Sequence, residues 1–97
     1  MGRKPRQRPE RLGEKLRLIR EAFGLSQTGM VTRLGDEGIV ASQISEYETD
    51  KREPSLITLL RYARLANVYL DALIDDELDL PAKLPSAKKH AGLTHRP

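Results

Sequence analysis

The 97-residue chain contains no cysteine and no tryptophan. Without cysteine there is no disulfide framework, no thiolate nucleophile and no cysteine-based zinc site. A small cysteine-free chain fits a reducing compartment, and a cytoplasmic location is expected. One Phe and three Tyr are the whole aromatic complement, which leaves few platforms for stacking single-stranded nucleic acid. Long apolar runs are also missing. Stretches such as Ile39-Val40-Ala41 fall far short of the roughly 20 residues that span a bilayer, so no membrane partner is expected. The basic start from Arg3 to Arg8 is not followed by an apolar stretch, which argues against an export signal. No glycine-rich phosphate loop and no paired catalytic carboxylates stand at a recognisable spacing. Neither enzymatic activity nor a cofactor is expected. His90 and His95 lie in a Lys-rich tail without companion ligands, so no metal site is expected either.

What is present begins with charge, and its position matters more than its sum of +3. Residues 1–11 carry Arg3, Lys4, Arg6, Arg8 and Arg11 against Glu10 alone. Residues 82–97 carry Lys83, Lys88, Lys89 and Arg96 with no acid. Residues 12–70 balance eight basic against eight acidic groups, and residues 71–81 hold five acids with no base. Basic, proline-containing ends with few large apolar residues cannot offset the entropy of ordering and are expected to be flexible. A basic arm over 1–9, one domain over 10–79 and a basic tail over 80–97 follow. Such arms commonly meet a polyanion. The acids Asp71, Asp75, Asp76, Glu77 and Asp79 lack calcium-loop spacing and read as a solvated face.

Periodicity then places the helices. Leu12, Leu16, Ile19 and Phe23 line one face of a first helix over about 10–23, with Pro9 suiting its first turn and Gly24 its end. Ser26 is a good N-cap for a second helix over 27–34, whose inward candidates are Met30, Val31 and Leu34. Gly35-Asp36-Glu37-Gly38 is a turn cluster. Ile44 and Tyr47 share the buried side of a third helix over 41–48 that is otherwise polar. Asp50 tolerates a left-handed turn. Ser55 caps a fourth helix with Leu56, Leu59, Leu60, Ala63 and Ala66 on its apolar face, and Asn67 stops it. Leu70, Leu73 and Ile74 make a fifth helix over about 69–77. Tyr62 and Tyr69 are expected to be half-exposed. The fold class is all-α, with five short helices around one small core. Such a core is marginal, and dimerisation would help it.

The order Leu25-Ser26-Gln27, Ile44-Ser45-Glu46-Tyr47-Glu48 and Lys51-Arg52-Glu53-Pro54-Ser55 falls in register with these helices. Over residues 10–75 the chain resembles the Cro/C1-type (XRE) helix-turn-helix family. The resemblance implies a five-helix, lambda-repressor-like domain that binds double-stranded DNA as a transcriptional regulator. The third helix would read the major groove, and the start of the second would meet phosphate. The base-facing positions implied are Ala41, Ser42 and Glu46, with Gln43 beside them. Ser26, Gln27 and Thr28 would meet the backbone, with Gln27 also bracing the third helix. Lys51 and Arg52 would add phosphate contacts, as would Arg3, Lys4, Arg6 and Arg8 of the arm. A homodimer on a pseudo-palindrome, through the fifth helix or the C-terminal segment, is implied as well.

The chain departs from the family pattern at several points. The turn at 35–38 is about three residues longer than usual. Val31 replaces a customary Ala, and Asp50 a customary Gly. Val40 is a poor cap for the third helix. Glu46 repels phosphate, whereas the family position of Glu48 is structural. The near-neutral body and Glu46 motivate an alternative, an antitoxin-like or adaptor module that uses this fold to bind a protein partner.

Overall fold

The computed structural model describes residues 8–84. The helices are α1 (Leu12–Ala22), α2 (Gln27–Leu34), α3 (Ala41–Glu48), α4 (Leu56–Ala66) and α5 (Leu70–Ile74), and no strand occurs among the described residues. Arg3, Lys4, Arg6, His90 and His95 lie outside the described residues.

One core unites the five helices. Leu16, Ile19, Met30, Ile44, Tyr62 and Leu73 are fully buried in it, and Leu12, Phe23, Leu34, Tyr47, Leu59, Ala63 and Ala66 join them. The apolar stripe of α1 and the two inward residues of α3 therefore lie as the spacing requires. Capping follows local chemistry where a side chain is available. Ser26 Oγ accepts the Gly29 N–H at 2.9 Å, and Ser55 Oγ accepts the Thr58 N–H at 3.1 Å. Gly35 and Asn67 end α2 and α4 in the left-handed region, and Asp50 adopts φ 62° after α3.

Several expectations need correction. The first helix starts at Leu12 rather than near residue 10 because a carboxylate from the other end of the domain takes its leading amides. Asp76 accepts the N–H groups of Glu10 (2.9 Å) and Arg11 (3.0 Å). The fifth helix ends at Ile74, not 77, because Asp75 turns extended and frees Asp76 for that role. Its last carbonyls are capped in return: Lys15 Nζ donates to the Ala72 and Asp75 carbonyls at 2.8 and 2.9 Å. Lys15 is only 1% exposed. A buried ammonium is tolerable here because it meets two carbonyls at a helix C-terminus, where positive charge is favoured.

The acidic segment is thus not simply a solvated face. Asp76 is a cap, and Asp79 pairs with Arg11 Nη2 at 2.7 Å. Neither tyrosine is half-exposed. Tyr62 is fully buried, with no hydrogen-bond partner for its hydroxyl among the described residues, while Tyr69 is 87% exposed. Burial pushes the Tyr62 phenol well above its ordinary pKa. Leu56 and Ile74 face outward, because no helix covers the start of α4 or the outer side of α5. Leu80 and Leu84, assigned to the tail by composition, pack partly buried against the core.

Gly13 positions α1 against α3. A Cβ there would lie 2.8 Å from the Glu48 carbonyl, 2.9 Å from the Tyr47 carbonyl and 2.8 Å from Asp50 Oδ1. The two carbonyls are backbone and cannot rotate away. Gly13→Ala gains about 1 kcal/mol of helix propensity but meets an overpacking penalty of about 1–3 kcal/mol. Chemical denaturation is expected to register a net loss of up to about 2 kcal/mol, and no gain in spite of the better helix former.

Asp76 generates a pH dependence. The backbone N–H of Glu10, then that of Arg11, holds its carboxyl below the ordinary Asp value. A carboxyl whose pKa is depressed by folding stabilises fully above the unfolded value of about 3.9, and loses that contribution as pH falls through the folded value. Asp76→Asn is therefore expected to lower stability near neutrality. Denaturation curves of the two proteins should converge below about pH 4.

Candidate nucleic-acid interface

The polar outer side of α3 is held by three independent constraints. The first is at its C-terminal end. The Glu48 side chain is 4% exposed, and that of Arg20 of α1, at 16%, grips it with two bonds: Nε to Oε2 at 2.7 Å and Nη2 to Oε1 at 3.0 Å. The remaining Arg20 nitrogen donates to the Leu25 carbonyl at 2.9 Å, in the loop between α1 and α2. A bidentate charge-assisted pair of this kind fixes angle as well as distance. Glu48 keeps the Arg20 guanidinium still further above its ordinary pKa. Gln27, the first residue of α2, adds its amide Nε2 at 3.4 Å from Glu48 Oε1. One carboxylate thus joins the end of α1, the start of α2 and the end of α3.

The second constraint is at the N-terminal end of α3. Val40 offers no capping side chain, yet its N–H donates to Gln43 Oε1 at 3.0 Å. Gln43 occupies the third helical position, where Glu or Gln reaches back in a capping box. That signal stands in the sequence beside the weak cap.

The third constraint is on the turn over residues 35–38. Asp36 Oδ1 accepts the Gly38 N–H at 2.9 Å and so closes an Asx turn. Its Oδ2 accepts from the Thr58 hydroxyl of α4 at 3.2 Å. Arg61 of α4 donates to the Leu34 and Gly35 carbonyls at 3.0 and 3.2 Å, and Ile39 is buried. The turn is therefore tied to α4 rather than swung outward.

Between these anchors α3 presents Ser42, exposed, with Ala41, Gln43, Ser45 and Glu46 half-exposed, while Ile44 and Tyr47 face the core. Glu46 and Arg52 meet: Arg52 Nε lies 2.6 Å from Glu46 Oε1. Lys51 is exposed beside them. Ser26 and Thr28 are exposed at the start of α2. Arg8 stands elsewhere, in a groove formed with the α3–α4 loop, the start of α4 and the end of α5. Sequence reasoning missed Arg20, Asp36, Thr58 and Arg61, whose partners lie 22 to 28 positions away. Among the described residues no cluster of His, Asp or Glu could hold a metal ion, and no helix is long and apolar enough to cross a membrane.

A family model described as helix-turn-helix matches residues 16–73. No curated protein matches the chain significantly. Among solved structures, the P22 c2 repressor in complex with a synthetic operator is similar, with a TM-score of 0.58 and 23% identity over 67% of this chain and 94% of that one. At this identity the likeness concerns the fold: five helices in the lambda-repressor-like arrangement. The family match spans more than half of the chain and takes in α2 and α3; the chain belongs to the Cro/C1-type helix-turn-helix family.

Proposed function

We propose that this chain is a sequence-specific transcriptional regulator that inserts α3 into the major groove of double-stranded DNA. The observation that carries this reading is the three-point anchoring of a short helix whose outer side is polar. An eight-residue helix is not stable alone. Here its placement is fixed from both ends, as base recognition requires, and Ser42, Glu46, Gln43 and Ala41 are the side chains offered. The proposal is also supported by the likeness to a repressor solved on operator DNA.

The geometry refines the roles. Ser42 is the freest polar group and can donate or accept at base edges. Reading adenine takes both ends of a Gln carboxamide. Gln43 Oε1 is already held by Val40, so its Nε2 is the end offered, which suits guanine O6 or N7 or a phosphate. Glu46 offers its second oxygen to cytosine N4 while Arg52 stays alongside for phosphate. At the start of α2, Ser26, Gln27 and Thr28 surround N–H groups that lack intrahelical partners, a ready phosphate seat. Lys51 and the arm cations Arg3, Lys4, Arg6 and Arg8 add further contacts. A homodimer would place two such heads on a pseudo-palindrome.

Selection from a randomised duplex library, followed by salt titration, tests the proposal. A common motif is expected. With about 6–8 phosphate contacts, log K should fall by roughly 5–7 per decade of salt. Recovery of no motif would sink it. Ser42→Ala is expected to relax base preference at one position while leaving the salt slope unchanged. Glu46→Gln should do the opposite to the backbone term: it releases Arg52, raises affinity for random duplex and steepens the slope by about 1.

A further inference from the structure

A partly apolar depression lies away from the outer side of α3. It is a groove of about 1060 Å³ between the start of α4 and the end of α5, and its apolar lining includes Leu12, Leu59, Pro9, Leu56 and Ile74. Leu56 is 75% exposed and Ile74 also faces solvent, so apolar surface is left open there. The rim is acidic, with Asp71, Asp75 and Glu77 among its lining. Among the described residues these three make no ion pair, whereas Asp76 and Asp79 are already engaged by the start of α1.

We propose that this groove docks the chain's own basic arm, residues 1–7, and that DNA phosphate competes for the same arm. Three observations converge on that occupant. The chain leaves the groove itself, since Arg8 and Pro9 are part of its lining. The seven preceding residues can extend about 25 Å, enough to run along the groove. Their charge is Arg3, Lys4 and Arg6 with no acid, complementary to Asp71, Asp75 and Glu77. Met1 and Pro5, with the alkyl stems of the cations, suit the apolar floor. A tethered segment of this length acts at an effective concentration in the millimolar range, so weak contacts suffice. In the free protein the acidic rim stands in for phosphate, and bound DNA draws the arm away. Only this second half rests on the proposed DNA-binding function.

The lack of cysteine makes a direct test simple. Gly2→Cys in the full chain carries a single nitroxide label, and broadening of the Leu56, Leu59 and Ile74 methyl signals reports docking. At low salt strong broadening is expected. It should fall several-fold in Asp71→Asn/Asp75→Asn/Glu77→Gln, in Arg3→Gln/Lys4→Gln/Arg6→Gln, and in about 0.5 M salt, where charges are screened beyond roughly 4 Å. The arm variant leaves the folded residues untouched, so a folding defect in the acid variant cannot decide the outcome. Equal broadening in all samples would overturn docking, as would broadening that grows with protein concentration, the mark of a second copy's arm. Selected duplex should then relieve the broadening. If the arm is docked about two-thirds of the time, the acid variant should bind that duplex about threefold tighter than the native chain. Bound duplex that leaves the broadening intact would overturn the competition. A chain that binds no duplex would remove the DNA reading, while the broadening still decides the groove.

Discussion

The buried pair of Arg20 and Glu48 is the interaction on which the placement of α3 depends. Glu48 is almost wholly withdrawn from water, and an unpaired carboxylate there would be strongly unfavourable. Arg20 neutralises it with two parallel bonds, and its remaining nitrogen donates to the Leu25 carbonyl. Gln27 then adds the start of α2 to the same carboxylate. Apolar contacts through Ile44 and Tyr47 hold α3 onto the core, but such contacts are non-directional. The ion pair and the amide supply the direction. Replacing a buried pair by apolar residues is often neutral for stability. Its use in this chain is therefore best sought in the angle of α3.

A second closure joins the ends of the domain. Asp76 caps the start of α1, and Lys15 of α1 caps the end of α5. These exchanges explain which boundaries were legible. The starts of α2 and α4 carry their own caps, Ser26 and Ser55, and their ends carry Gly35 and Asn67. Those helices were readable residue by residue. The start of α1 and the end of α5 draw their caps from across the domain, and no local pattern reveals that. The buried stripes were legible from spacing, but Leu56 and Ile74 fit the same spacing and face outward, because periodicity does not say where a neighbouring helix ends.

At the candidate site the order of motifs pointed to α2 and α3, and the likeness of Gln43 to a capping-box residue was there to be read. The coupling of Glu46 to Arg52 was not, because it depends on how the chain turns after Thr49. Nor was the seat of the turn at 35–38, which rests on Thr58 of α4 meeting Asp36 and Arg61 of α4 meeting the Leu34 and Gly35 carbonyls. Gly13 carries no chemistry and no pattern. Its role is a close backbone approach that only the packing of α1 on α3 reveals. The charge balance gains meaning in the same way. Residues 12–70 are neutral overall, Arg52 is matched by Glu46, and Asp71, Asp75, Asp76 and Glu77 line the groove that Arg8 and Pro9 also line.

The most direct measurement of whether Arg20 and Glu48 act as one positioning unit is a double-mutant cycle. It uses Arg20→Met, Glu48→Gln and the double variant, each followed by chemical denaturation. Removing one partner of a buried pair strands the other, so each single change should lose about 3 kcal/mol, and the double should lose far less than their sum. A coupling of about 2 kcal/mol or more is expected. Losses that simply add would contradict the central role given to this pair.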